Sequence, residues 1–182
     1  MEQMGNDTLL TNRPVYNIYT DGGCRTDIRL GGWSYVIVHK KEVIVEESGI
    51  EEETTNNIME LTGVIKGMES FIRNFPDLIK TAQINVICDS TYAISGIKYK
   101  WIEKWKANGW HKFGTKHPVK NRELWETIDE LNNVFASIQW YWVRGHNGNK
   151  FNERVDKNIR ELFKEYAKTH NIQQLQEELQ FC

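Results

Sequence analysis

The sequence predicts an α/β domain with a mixed sheet, and three observations predict it. The first fifty residues hold three strand-like runs joined by turn signals, strand-like and helix-like segments alternate after them, and no long apolar stretch is free of charge. With 182 residues and 40% hydrophobic content, the chain can bury the core that such a domain needs.

The elements follow in order. "VYNIYT" has the β-branched and aromatic content of a strand at about 15–20, and the "DGG" behind it reads as a turn. Further strands are expected at 33–38 and 42–49 around the turn signal "HKKE", which makes the opening a meander. "TTNN" supplies cap residues. Ile58, Leu61, Ile65, Met68 and Ile72 then recur at steps of three and four, the apolar face of a helix ending near Phe75 and Pro76. "INVICDS" gives a strand at 84–88. After it come a short helix near 90–96, a basic segment rich in Trp, a helix near 120–133 and the strand "SIQWYWV". The last helix, 151–168, has the inward stripe Phe151, Val155, Ile159, Leu162 and Tyr166. Beyond it Ile172, Leu175 and Leu179 keep helical spacing, so 169–182 reads as a C-terminal extension and 1–14 as a short N-terminal one. No repeat, low-complexity tract or interdomain linker interrupts the pattern.

Acids at Glu2 and Asp7, with no apolar stretch longer than Leu9-Leu10 at the start, show neither a secretory signal nor a transit peptide. The expected compartment is therefore the cytoplasm, or the nucleus. Cys24, Cys88 and Cys182 are odd in number and lack metal-site spacing, which points to reduced thiols rather than a disulfide framework or structural zinc. The formal net charge of −2 does not by itself suggest a polyanionic partner, but its distribution does. From Lys98 to Arg122 stand eight Lys or Arg and two His against one acid, Glu103, interleaved with Trp101, Trp105 and Trp110. Two readings are open: a solvated helix whose tryptophans pack inward, or a surface that follows a phosphate backbone.

The carboxylates carry the chemistry. Asp21 and Asp89 each end a short apolar run. An Asp-Gly pair is ordinary turn chemistry, but two strands releasing an Asp at their carboxyl ends can bring two charges together. Glu60 lies at the edge of the first helix's apolar face, and Asp156 lies beside Val155 on the last helix, about 100° around from it. Each alone is an ordinary rim carboxylate; four together can converge.

The segments "YTDGGC" (19–24), "TTNNIMEL" (54–61), "DSTY" (89–92), "KWKANGW" (104–110), "PVKNRELW" (118–125) and "WVRGHNGNKFNERVD" (142–156) resemble, in order and spacing, those of the type 1 ribonuclease H family. The resemblance implies a catalytic domain over 15–168, on a five-stranded mixed sheet flanked by helices, with the basic segment as its handle. It implies endonucleolytic hydrolysis of the RNA strand of an RNA-DNA hybrid, leaving 5′-phosphate and 3′-hydroxyl ends. In the family the positions matching Asp21, Glu60, Asp89 and Asp156 hold two Mg²⁺ ions, for which Mn²⁺ is an alternative. His146 matches a mobile histidine assisting proton transfer or product release, and its other reading is a surface loop histidine.

Implied substrate contacts are Gly22, Gly23 and Cys24 beside the carboxylates, Thr55, Asn56 and Asn57 before Glu60, and Arg144. On the handle they are Trp101, Lys104, Trp105, Lys106, Trp110 and Lys112. Asn56 and Asn57 have helix capping as their alternative task. Two positions depart from the family pattern: Asp27, where an Asn often contacts the minor groove, and Thr91, where bacterial members often have Gln. Residues 1–14 are too few for the separate hybrid-binding domain of many eukaryotic members. The expected partner is the hybrid duplex, with no membrane, and the expected state is a monomer. A silent hybrid-binding module would need a lost carboxylate, and all four are present. A ribonuclease H domain of a reverse transcriptase, a transposase or a resolvase would bring a polymerase or DNA-binding region.

Overall fold

The structure, a computed structural model, describes residues 13–172. A five-stranded sheet runs in the order β3-β2-β1-β4-β5. Strands β1 (Val15–Arg25), β2 (Leu30–His39) and β3 (Glu42–Glu52) form the antiparallel meander. β4 (Gln83–Cys88) then joins the far side of β1 in parallel, and β5 (Ile138–Trp142) joins β4 in parallel. The helices are α1 (Asn56–Asn74), α2 (Thr91–Lys98), α3 (Trp101–Ala107), α4 (Arg122–Val134) and α5 (Lys150–Thr169), with a 3₁₀ turn at Pro76–Leu78.

Helices cover both faces. α1 and α4 pack with α2 and α3 over the main core, in which Ile18, Tyr35, Ile37, Val64, Met68, Phe71, Ile84, Val86, Trp125 and Ile128 are buried. On the other face α5 sets Val155 against Val36 and Val38, and Ile159, Phe163 and Ala167 against Leu30. Nearly all of β2 is buried because it is covered on both sides, so its run of apolar residues shows no alternation.

Several expectations are corrected. "DGG" is not a turn: β1 continues through Asp21, Gly22 and Gly23, which pair with Ser34, Trp33 and Gly32 of β2, and the turn comes at 26–29. β2 and β3 are longer than the expected 33–38 and 42–49, since the same pairing carries them past the apolar runs. Of the expected face of α1, Leu61, Ile65 and Met68 are buried, joined by Met59, Gly63, Val64 and Phe71, while Ile58 and Ile72 are only half-buried. The reason is a close approach. A Cβ on Gly63 would stand 2.6 Å from the Asp21 carbonyl oxygen, and one on Gly67 would stand 2.6 Å from Ile18 Cγ2. The helix therefore comes close to β1 through its small residues, while the Phe71 ring meets Tyr16 of β1 at 5.3 Å between centroids.

The basic segment holds a helix, α3, that the apolar spacing did not mark. On α5, Phe163 and Ala167 take the inward places expected of Leu162 and Tyr166. Ile172 packs beside Leu30 and Ile50, whereas Leu175, Leu179 and Cys182 lie outside the described residues. Cys24 and Cys88 are free thiols, and burial pushes the Cys88 thiol up to about 12, which keeps it protonated.

Candidate active site

Parallel pairing sets the level of the site. β1 and β4 match Tyr19 with Ile87 as their last pair, so Asp21 and Asp89, each two residues further on, leave this parallel pair at the same level. β1 is still held there by β2, with Asp21 opposite Ser34, while β4 has ended. A carboxylate can thus stand at the open end of β4 on backbone that cannot drift. Alternation along β1 sends Ile18 into the core under α1 and turns Tyr19 and Asp21 toward α5. There the Tyr19 ring meets Phe151 at 5.2 Å between centroids.

Gly22 faces α1. A Cβ there would stand 2.2–2.3 Å from the backbone of Met59 and Glu60. The absent side chain lets the first turn of α1 rest on β1, and this is what brings Glu60 to Asp21. Gly23 has nothing within 4 Å of where a Cβ would stand, so it leaves open space beside the site. Asp156 comes from α5, one turn before Arg160, and His146 from the loop between β5 and α5.

Each carboxylate has its own surroundings. Burial, and next the charge of Asp89, push the Asp21 carboxyl up to about 7; the Gly22 amide, donating to Oδ1 at 2.7 Å, opposes this, and Asp156 and Glu60 add to the push. Glu60 is also raised above the usual carboxylate range, chiefly by burial. It accepts from Ser90 Oγ and, at 2.8 Å, from Asn56 Nδ2. Asp89 Oδ2 accepts from Asn152 Nδ2 at 3.3 Å, and its carbonyl accepts from the Trp142 indole at 3.0 Å. Asp156 Oδ2 pairs with Arg160 Nη2 at 2.8 Å, and His146 Nδ1 lies 4.0 Å from the same oxygen.

This distribution bears on a metal. Among the described residues no three His, Cys, Asp or Glu side chains already stand as a closed ligand group. Glu60, Asp89 and Asp156 instead lean on neutral or cationic neighbours, the arrangement that minimises repulsion around Asp21. Four carboxylates that offer only hard oxygen donors, one of them holding its proton to near neutrality, fit a hard divalent cation.

Other expected contacts receive definite places. Thr55 is the N-cap of α1, accepting from the Ile58 amide at 3.4 Å, so Asn56 and Asn57 are exposed on the first turn and free of capping. Cys24 Sγ reaches the Thr54 carbonyl at 3.5 Å. Arg144 is exposed. Trp101, Trp105 and Trp110 join Tyr92 and Trp125 in an aromatic cluster, with centroids of Trp101 and Trp105 at 5.6 Å, Trp105 and Trp125 at 5.6 Å, and Trp105 and Trp110 at 6.2 Å. Their packing supports α3, as the inward reading expected. Lys104 and Lys112 are exposed, and Lys106 pairs with Asp129. Asp27 is forked by Arg25, at 3.2 Å from Nε and 3.0 Å from Nη2, so its charge is answered locally. Thr91 is exposed on the first turn of α2.

Sequence reasoning did not single out Ser90, Trp142, Asn152 or Arg160. Asn152 is 2% exposed, and a polar side chain that deep needs partners. Its signal was its place one turn before Asp156 on the same helix. Gly145 matters by what it lacks, since a Cβ there would stand 2.6 Å from Asp89 Oδ2.

Comparison with known proteins agrees with this fold. The RNase H family model matches residues 13–164. Ribonuclease H of Acetivibrio thermocellus is 39% identical over 155 residues, covering 84% of this chain and 97% of its own. Ribonuclease H of Ruthia magnifica is 43% identical over 139 residues, covering 76% and 88%. Among solved structures, LC9-RNase H1, a type 1 RNase H with the type 2 active-site motif, superposes with a TM-score of 0.66 at 25% identity, covering 80% of this chain and 70% of that one. The N-terminal RNase H domain of rv2228c from Mycobacterium tuberculosis shares the fold, with a TM-score of 0.65 at 20% identity, covering 86% and 99%. With the family model spanning the whole sheet and α1 to α4 and reaching into α5, the chain belongs to the RNase H family, as an enzyme of the ribonuclease H type 1 class.

Proposed function

We propose that the enzyme hydrolyses the RNA strand of RNA-DNA hybrids endonucleolytically, with Asp21, Glu60, Asp89 and Asp156 holding two divalent cations and the products carrying 5′-phosphate and 3′-hydroxyl ends. The observation that carries this reading is that Asp89 at the end of β4, Glu60 of α1 and Asp156 of α5 are all near enough for their charges to raise the buried Asp21 carboxyl. Mg²⁺ is the expected ion, with Mn²⁺ as an alternative, and a cation pair supplies charge stabilisation to both the attacking and the leaving oxygen of an in-line displacement.

The chain's own residues position and neutralise. Asp21 is fixed by β2 on one side and by its Gly22 amide. Asn152 and the Trp142 indole hold Asp89 from side chain and main chain. Ser90 and Asn56 hold the two oxygens of Glu60. His146, mostly exposed and near Asp156, has the reach to pass a proton at the edge of the site. Asn56 and Asn57, released from capping by Thr55, offer paired donors and acceptors for a 2′-hydroxyl in a shallow minor groove. The exposed lysines Lys104 and Lys112, on the platform of Trp101, Trp105 and Trp110, face the phosphates of the other strand. No helix among the described residues is long and apolar enough to cross a membrane, and we take the enzyme to act as a cytoplasmic monomer.

The test is a panel of labelled RNA-DNA, RNA-RNA and DNA-DNA duplexes incubated with the protein and Mg²⁺, with product ends assigned by phosphatase and ligase treatment. Cleavage confined to the RNA of the hybrid, with ligatable 5′-phosphates, is expected. Equal cleavage of DNA duplexes would replace this reading with a general nuclease.

A further inference from the structure

Seven large hydrophobic side chains are exposed in the described residues, six of them between 39% and 52% and the seventh, Phe113, at 96%. A single exposed apolar residue is ordinary, but a phenyl ring with almost no protein contact is displayed rather than rimmed. The loop that displays it is built to keep it out. His111 and Pro118 form a bridge, the Lys112 amide donates to the His117 carbonyl at 2.9 Å, and the Val119 amide donates to the Trp110 carbonyl at 3.0 Å. At the tip the Thr115 amide closes on the Lys112 carbonyl at 3.0 Å, and Gly114, with φ of +71°, supplies the left-handed third residue of the turn. Trp110 and Val119, both buried, anchor the base. Phe113 occupies the second position of this turn and cannot fold back onto the domain.

Its neighbours are cations. The loop from His111 to Pro118 has no acid, and Lys112, Lys116 and Lys120 are exposed, with no carboxylate pairing with them among the described residues. A flat apolar face on a loop that carries and is followed by exposed amines suits a nucleobase whose phosphates the amines meet. Inside a duplex both faces of every base are already stacked, so the free face that a phenyl ring needs is found on an unpaired base or a duplex end.

We infer that Phe113 stacks on an unpaired nucleobase flanking the hybrid, with Lys112, Lys116 and Lys120 on its phosphates, so that the enzyme favours hybrids bordered by a single strand. The inference rests on the hybrid-nuclease reading and specifies its substrate. Such a substrate is a junction, an RNA-DNA hybrid that continues into single-stranded DNA or RNA.

The test uses the full chain, metal withheld to prevent turnover, and hybrids that are blunt, carry a DNA overhang or carry an RNA overhang, each overhang labelled with 2-aminopurine. Overhang hybrids are expected to bind about five- to tenfold tighter than blunt ones, the weaker end of base-aromatic stacking, and the probe to be quenched on binding. Phe113→Ala should remove both the preference and the quench, and Phe113→Trp should restore them. The DNA and RNA arms show which strand supplies the base. A melting temperature unchanged in Phe113→Ala is expected, since the ring touches little, and the Trp variant serves should the Ala variant unfold. Equal binding of blunt and overhang hybrids, or a quench that survives Phe113→Ala, overturns the inference while leaving hybrid cleavage intact. Concentration-dependent self-association lost in Phe113→Ala would also overturn it, by assigning the ring to a protein contact. Failure to cleave any hybrid with metal restored would instead overturn the nuclease reading.

Discussion

At the carboxylate site like charges are forced together by main chain in close contact, whereas in the basic segment charges of one sign are spread over exposed side chains on an aromatic platform. β1 meets α1 with nothing between Gly22 and the backbone of Met59, and Asp21 is held by β2 while Asp89 is held by a buried amide. α3 rests on ring contacts of 5–6 Å, and its lysines reach into solvent. A cation site needs oxygens fixed to fractions of an ångström, so repulsion must be absorbed by a rigid frame. Contacts to a phosphate chain tolerate looseness, because Coulomb attraction falls slowly with distance and no single geometry is required. The two regions should therefore fail differently when altered.

The largest effect is expected at the centre of the rigid region. Asp21→Asn removes a charged donor while keeping shape, and cleavage of a hybrid should fall on the order of 10³-fold, with hybrid binding changed by only a few fold. Turnover within tenfold of wild type would remove Asp21 from the cation site. Next comes the frame itself. Gly22→Ala drives a methyl into the backbone of α1, which cannot swing aside as a flexible side chain would. A loss of about 3 kcal/mol of stability is expected, roughly 6–12 °C in melting temperature. Gly23→Ala, with nothing within 4 Å, should melt like the wild type. Equal melting of the two variants would mean that α1 does not lean on β1 as described.

The contrast also explains what could be read from sequence. Asp21, Asp89, Glu60 and Asp156 stood out as candidates because a carboxylate at a strand end or helix edge is conspicuous against apolar periodicity, but each alone read as an ordinary turn or rim residue, and the resemblance to the ribonuclease H family is what grouped them. Their supports did not stand out, because an Asn or a Trp announces nothing until its depth is known. Asn152 looked like any polar residue at the start of a helix. Gly22 and Gly23 looked like a turn because Asp-Gly-Gly is turn chemistry in most settings, and only the pairing with Trp33 and Gly32 keeps them in a strand. Apart from α3, the succession of strands and helices along the chain was visible from periodicity, composition and turn signals. The facing side of α1 was visible only in part: Leu61, Ile65 and Met68 of the expected stripe are buried, but the close approach at Gly63 and Gly67 carries no hydrophobic signal. α3 escaped the spacing rules because its large residues are held by aromatic neighbours rather than by a stripe.

The loose region should respond in proportion to charge. Lys106 is already paired with Asp129, while Lys104 and Lys112 face solvent. Replacing all three by Ala should therefore flatten the salt dependence of hybrid binding by about two unit slopes rather than three, with each exposed lysine counting as one phosphate contact. Lys106→Ala alone should leave the slope nearly unchanged. A full unit lost from that single change would show that the pair with Asp129 opens on binding, and an unchanged slope in the triple variant would detach the handle from phosphate.

The smallest effect reads the combined strain that burial and negative neighbours place on Asp21. The Asp21 carboxyl, ordinarily near 3.8, is held up at about 7 in the folded protein by burial and by its negative neighbours. Between these values the native state keeps a proton that the unfolded chain has released, so stability from this group is fully present below about pH 4 and is lost as pH rises through 7. In metal-free protein Asp21→Asn should melt a few degrees above wild type at pH 8, and the gain should shrink toward zero as pH falls to 4. Saturating Mg²⁺ should reverse the order, because the cation binds the native wild type and stabilises it by mass action while the amide variant binds poorly. Metal-free wild type and variant melting alike at pH 8 would mean that neither burial nor the neighbouring charges strain the Asp21 carboxylate, and the buried end of β1 would then differ from the basic segment only in sign.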